Sequence, residues 1–218
     1  IPTSVLLVAL LVGLGLADTA TVTVRQPAAI STHPASISIL SGQSTVLTVV
    51  ASGDAPLAYQ WYQGASGVTT TPVGTDSATF TTPALSATTS YWVKITNIAN
   101  ASGALSNTAT VTVQNPAAIS THPASTVINS GQSTTLSVTA TGDAPLTYQW
   151  YEGSSGVTTT PVGTDSASLT TPVLTTTTSY WVRVSNAVNP TGASSSTATV
   201  TVRQPAAITT HPASTSVT

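Results

Sequence analysis

The side chains that could do chemistry are few, and they recur. His33, His122 and His211 stand 89 residues apart, each followed by a proline, and Asp54 and Asp76 return at the same step as Asp143 and Asp165. General acid–base catalysis needs titratable groups that converge in a pocket, and two aspartates per copy offer little toward one. Asp54 and Asp143 lie in GDAP turns, where aspartate is expected to bond its own backbone. Each histidine is isolated at a join between copies, a structural placement rather than a metal-ligand set. The chain has no cysteine, so it has neither thiolate nor disulfide. It shows no DxDxDG calcium loop, no GxSxG nucleophile elbow, and no phosphate loop or HExxH pair. The expectation is a protein without catalysis, cofactor or metal.

The elements that must hold these residues are repeated as strictly as the residues are. Trp61 and Trp92 return as Trp150 and Trp181, and SGVTTTPVGTDSA runs letter for letter from Ser66 and again from Ser155. A period this long is a whole small domain, not a solenoid unit of roughly 20–45 residues. Apolar and polar residues alternate in Leu47–Ala51, Leu136–Ala140, Tyr91–Thr96 and Thr110–Val113, between SGQS, GDAP and TTP turns. Alternation between such turns predicts half-buried antiparallel strands, and several of them predict a two-layer all-β sandwich. The division expected is an apolar segment 1–18, a terminal strand of a preceding repeat at 19–27, domains at 28–115 and 116–204, and the start of a third repeat at 205–218. The joins read Q/R-N/Q-PAAI-S/T-T-HPAS, and their two prolines predict short, stiff connections.

Composition narrows the partners. Charged residues make up 5% of the chain and its formal net charge is −2, so it lacks the basic clusters that nucleic acid requires. Val5–Leu16 is an apolar and glycine run of about 18 Å as a helix, short of the roughly 30 Å bilayer core. It reads either as a signal-peptide remnant or as an assembly or anchoring segment. Membrane contact is expected only through residues 1–16. Asn100-Ala101-Ser102 is a sequon for N-glycan, whereas its counterpart Asn189-Pro190-Thr191 carries the forbidden proline.

Each copy reads SGQST-x-L-x-V, GDAPL-x-YQWY, TTSYWV-[KR]-[IV]-[TS]-N and TATVTV. This resembles the bacterial immunoglobulin-like, I-set-like tandem repeats of secreted and cell-surface proteins. The resemblance implies two Ig-like β-sandwiches with Trp61 and Trp150 as core tryptophans and Tyr91 and Tyr180 at the tyrosine-corner position. Val93 and Val182 stand in place of the usual second half-cystine, and a residue near Leu47 and Leu136 in place of the first, so packing by core residues such as Leu47 and Leu136 must do the work of the inter-sheet disulfide. If Trp61 and Val93 face inward, then Gln60, Tyr62, Trp92 and Lys94 face outward, as do Tyr151, Trp181 and Arg183. That Trp–Tyr pair beside a cation is either a contact surface for protein or sugar rings, or is covered by the next strand or the adjacent domain. The function implied is an extracellular or cell-surface stalk, adhesin or filament subunit, self-associating head to tail through its terminal segments. The alternative is a glycan-binding accessory module of a larger secreted hydrolase.

Overall fold

The computed structural model describes residues 23–211 and 214–216, all of whose regular elements are strands. The apolar run, both readings of it, and the docking of the terminal segments lie outside the described residues. The chain divides into two compact units, Ile1–Val113 and Gln114–Thr218.

The first unit contains β1 (Ala29–Thr32), β2 (Ile37–Leu40), β3 (Val46–Thr48), β4 (Val50–Ser52), β5 (Ala58–Gln63), β6 (Pro72–Val73), β7 (Thr79–Thr81), β8 (Thr89–Asn97), β9 (Asn100–Leu105) and β10 (Ala109–Gln114). Its larger sheet has the order β2-β10-β8-β5-β6, with β9 also on β8, and the other layer is built from the pairs β1-β4 and β3-β7. β3 and β4 are one strand interrupted at Val49, whose N–H donates to Ala78 O. The second unit repeats this as β11 (Ala118–Thr121), β12 (Thr126–Asn129), β13 (Thr135–Ser137), β14 (Thr139–Thr141), β15 (Thr147–Glu152), β16 (Pro161–Val162), β17 (Ser168–Thr170), β18 (Thr178–Ser185), β19 (Ala193–Ser194) and β20 (Ala198–Arg203). β12 runs parallel to β20, whereas β15, β19 and β20 lie antiparallel to their neighbour β18.

The HPAS motif moves the chain from one layer to the other. His33 Nδ1 accepts the Asn107 N–H at 3.0 Å, and Ser36 Oγ accepts the Thr110 N–H at 2.9 Å. His122 and Ser125 do the same for Ser196 and Thr199, both at 3.0 Å. Two side-chain acceptors thus satisfy one N–H group just before the last strand and one within it, and the intervening proline has no N–H of its own to satisfy. An accepting Nδ1 places the imidazole proton on Nε2. His33 and His122 are sheet-crossing clips.

Alternation fills the core. Trp61 stands opposite Val93 and Leu47 opposite Phe80; Trp150 faces Val182 and Leu136 faces Leu169. Trp61, Val93, Trp150 and Val182 are completely buried, and Leu47 and Leu136 nearly so. Each core indole also donates its N–H within the fold, Trp61 to Ser77 O and Trp150 to Ser166 O, both at 2.9 Å. Tyr91 and Tyr180 are buried too, but Tyr180 Oη has no hydrogen-bond partner among the described residues. The tyrosine-corner bond implied by the resemblance is therefore not made there. Burial raises both phenols above their ordinary pKa.

One glycine in each domain permits a close backbone approach. Gly142 sits at φ +138°, and a Cβ there would stand 2.9 Å from Pro116 O and Ala117 Cα. Gly142→Ala is expected to cost about 1–3 kcal/mol through overpacking against immovable backbone, measured as a lower midpoint for the second domain in urea.

Candidate functional site

Two constellations gather polar side chains, and one of them explains the aspartates. Asn97, at the end of β8, is 8% exposed. Its Nδ2 donates to Gln26 O at 2.9 Å and Asp54 O at 3.1 Å, while Oδ1 accepts from Ala28 N at 3.1 Å and Asn100 N at 2.9 Å. Every hydrogen-bonding position of the amide in this cross-strand clamp is occupied. Asn186 repeats it on Asn115 O, Asp143 O, Ala117 N and Asn189 N at 2.8–3.1 Å. These asparagines close the TTSYWV-x-x-x-N motif, but nothing in the strand alternation marks them as a clamp.

Asp54 and Asp143 belong to the same clamp, which corrects the expectation that each bonds its own turn. Asp54 Oδ2 accepts the Gln26 N–H at 3.1 Å, and the Asp54 N–H returns to Gln26 O at 3.0 Å. Asp143 accepts both the side-chain and the backbone N–H of Asn115, each at 2.9 Å. Those donors, the side-chain amide first, hold the Asp143 carboxyl below its usual pKa. A carboxyl depressed in the folded state contributes stability above its unfolded value of about 3.9, and loses it as pH falls through the folded value. The second domain is thus expected to lose melting temperature below about pH 4, and Asp143→Asn, measured from pH 7 to 2, should flatten that acid limb.

Gln26 and Pro27, assigned above to a preceding repeat, include part of the clamp that begins the first domain, and residues 23–28 form no strand. Asn100 has the same explanation. Its Nδ2 donates to Ala28 O at 3.3 Å, and its Oδ1 accepts from Ser102 and Gly103. Asn189 makes the matching bonds without being a sequon, so the residue is explained without glycan.

The second constellation is the outer face of the larger sheet. Gln60 stands opposite Lys94 and Tyr62 opposite Trp92, and β15 and β18 align Gln149 with Arg183 and Tyr151 with Trp181. Trp92 and Trp181 are nevertheless 0% exposed, so neither is an indole available to a partner. The cover comes from the loop after β5 and from a tyrosine on the adjacent strand. Ser66 anchors the loop after β5 through its N–H to Thr108 Oγ1 and its hydroxyl to Ser106 O. Val68 O then accepts the Trp92 indole N–H at 3.0 Å, with Tyr62 stacked on the ring at a centroid distance of 4.7 Å. Ser155, Val157 and Tyr151 do this for Trp181, and the Arg183 guanidinium lies 5.5 Å from that indole. What the face offers is Tyr62, Lys94 and Gln60, half-buried, with Asp76 at its margin.

Asp76 and Asp165 accept the backbone N–H of Tyr59 and Tyr148 at 2.7 and 2.6 Å. Among the described residues no group of three or more His, Asp or Glu side chains could hold a metal ion.

Two layers of this order, without an inter-sheet disulfide, define each unit as an immunoglobulin-like sandwich. The family model for the CHU_C-associated Ig-like domain matches residues 27–116 and 115–205, and the chain belongs to that family. Solved structures share the fold. The titin I-band fragment I67–I69 matches at TM-score 0.56 and 19% identity over 82% of this chain and 66% of its own. Sidekick-1 immunoglobulin domains 1–4 match at TM-score 0.59 and 16% identity, over 82% of this chain and 49% of theirs. Extracellular domains 3–5 of Drosophila OTK match at TM-score 0.52 and 14% identity, over 81% and 62%. The chain therefore spans less than two thirds of each of these fragments. No curated protein matches it. Tandem Ig-like domains make a structural or adhesion-type module.

Proposed function

We propose that the chain is a non-catalytic extracellular protein, a stalk, adhesin or filament subunit whose copies set length and display one surface repeatedly. The observation that supports this reading is where the titratable groups go. Asp54, Asp76, His33 and their second-copy counterparts each accept backbone N–H groups. These acceptors are spread over separate places in each domain, the sheet crossing, the clamp and the margin of the outer face, and do not converge as acid–base catalysis requires. Head-to-tail self-association through the terminal segments completes the proposal, by strand addition. The accessory-module alternative loses its main support with the burial of Trp92 and Trp181.

Electron micrographs of the native material test the reading. Thin filaments or extended stalks are expected; dispersed compact particles, with monomers at high concentration while residues 1–16 are intact, would overturn it.

A further inference from the structure

The outer face of β5 and β8 gathers two of the three charged side chains of the first domain. Between Gln26 and Val113 the charged side chains are Asp54, Asp76 and Lys94, and Lys94 is the chain's sole lysine. Asp54 is committed to the clamp. The other two line one open depression of about 450 Å³ with Gln60, Tyr62 and Thr96. The second domain has a depression of about 280 Å³ at the corresponding place, lined by Gln149, Asp165, Arg183 and Ser185. The first volume lies toward the lower end of small-ligand sites, about 300–1,000 Å³, and the second falls just below it.

The depression keeps hydrogen-bonding capacity that the fold does not use. Asp76 meets the Tyr59 N–H through Oδ1, leaving Oδ2. Gln60 commits its amide nitrogen to Trp61 O at 2.9 Å and Val73 O at 3.1 Å, leaving Oε1 to accept. Lys94 lays its stem over Gly103, where an added Cβ would meet Lys94 Cε at 2.7 Å, and its ammonium has three donors. Tyr62 has one ring face on Trp92, which holds it rigid.

A carboxylate and an ammonium in one depression select against a charged ligand, which would gain at one group and lose at the other. A hydroxyl both donates and accepts, so neighbouring hydroxyls satisfy both groups at once through charge-assisted bonds. In the first depression a pyranose ring adds an apolar C–H face to set against Tyr62; the second is lined by Tyr148 instead, with the Arg183 guanidinium 5.8 Å from the Tyr151 ring. We propose that the two depressions bind neutral polysaccharide, one sugar residue in each, with Asp76 and Lys94, and Asp165 and Arg183, as the polar contacts. This rests on the reading of the array as a repeated displayed surface, and it needs no hydrolase. Each site is weak, and repetition along one polymer supplies retention by avidity.

The test titrates the full chain with soluble β-1,4-glucan, β-1,3-glucan and α-mannan hexasaccharides, and with polygalacturonate as the anionic probe, followed by 1H–15N NMR. The expected result is millimolar binding of at least one neutral hexasaccharide, with shifts at Gln60, Lys94, Gln149 and Arg183 and none with polygalacturonate. The D76N/D165N chain retains Oδ1 for the Tyr59 and Tyr148 N–H groups, and should melt like the parent yet bind at least about tenfold more weakly. K94Q/R183Q should lose binding likewise. Absence of shifts with all three neutral sugars at about 20 mM, tighter binding of polygalacturonate, or undiminished binding by both variants overturns the proposal. Because binding is read on dispersed chains, its failure removes the ligand and leaves the array to be decided by micrographs.

Discussion

Trp150→Ala is expected to remove a large part of the second domain's stability, about 3–5 kcal/mol. The indole is completely buried, and its N–H is the partner of Ser166 O. Truncation therefore leaves a cavity and an orphaned carbonyl together. No disulfide limits the loss, because the chain has no cysteine, and a domain of this size carries only about 5–15 kcal/mol in all. At roughly 4–8 °C per kcal/mol, the fall in midpoint should exceed about 12 °C. Scanning calorimetry of the whole chain reads this directly, with the first domain's transition serving as internal reference. A thermogram superimposable on the parent's would refute the packing assigned to Trp150.

The period-2 pattern and the repeat were enough to read the sandwich, because alternation reports which side of a strand faces the core and nothing more. That limit is why alternation leaves Trp92 open between a contact surface and a covered position. The residue does point away from the Trp61 core, yet a loop and a tyrosine cover it, and covering by a loop leaves no periodic trace. A hint lay in the letter-for-letter segment from Ser66 to Ala78. Its Ser66 anchors that loop, Val68 O accepts the Trp92 indole N–H, Asp76 accepts the Tyr59 N–H and Ser77 O accepts the Trp61 indole N–H. Many of its positions are tied to a partner far away in sequence, so the segment has little room to drift between copies. The outer depression was partly legible, since Gln60 and Lys94 follow from register. Asp76 was not, because it arrives from a loop.

Asn186 carries the second large expectation, and two substitutions there separate its two functions. Asn186→Ala strands the N–H groups of Ala117 and Asn189 and the carbonyls of Asn115 and Asp143. Partial solvation of these groups limits the cost to about 2–4 kcal/mol, at about 1–3 kcal/mol for each group left buried and unpaired. Asn186→Asp keeps the acceptor for Ala117 and Asn189 but sets a charged oxygen against two carbonyls that need donors. It should therefore destabilise more than alanine at pH 7, and the gap between the variants should narrow in acid, where a protonated carboxyl can again donate. Exposed Asn129 serves as control, where alanine should stay within about 0.5 kcal/mol of the parent. Hydrogen exchange at Ala117 gives the local readout: that amide should exchange faster in Asn186→Ala even where the rest of the domain stays protected. Equal protection of the Ala117 amide in parent and variant would mean that the clamp does not hold the start of the domain. In that case the close approach at Gly142, with no Cβ to intervene, would be the contact holding Pro116 and Ala117 in place.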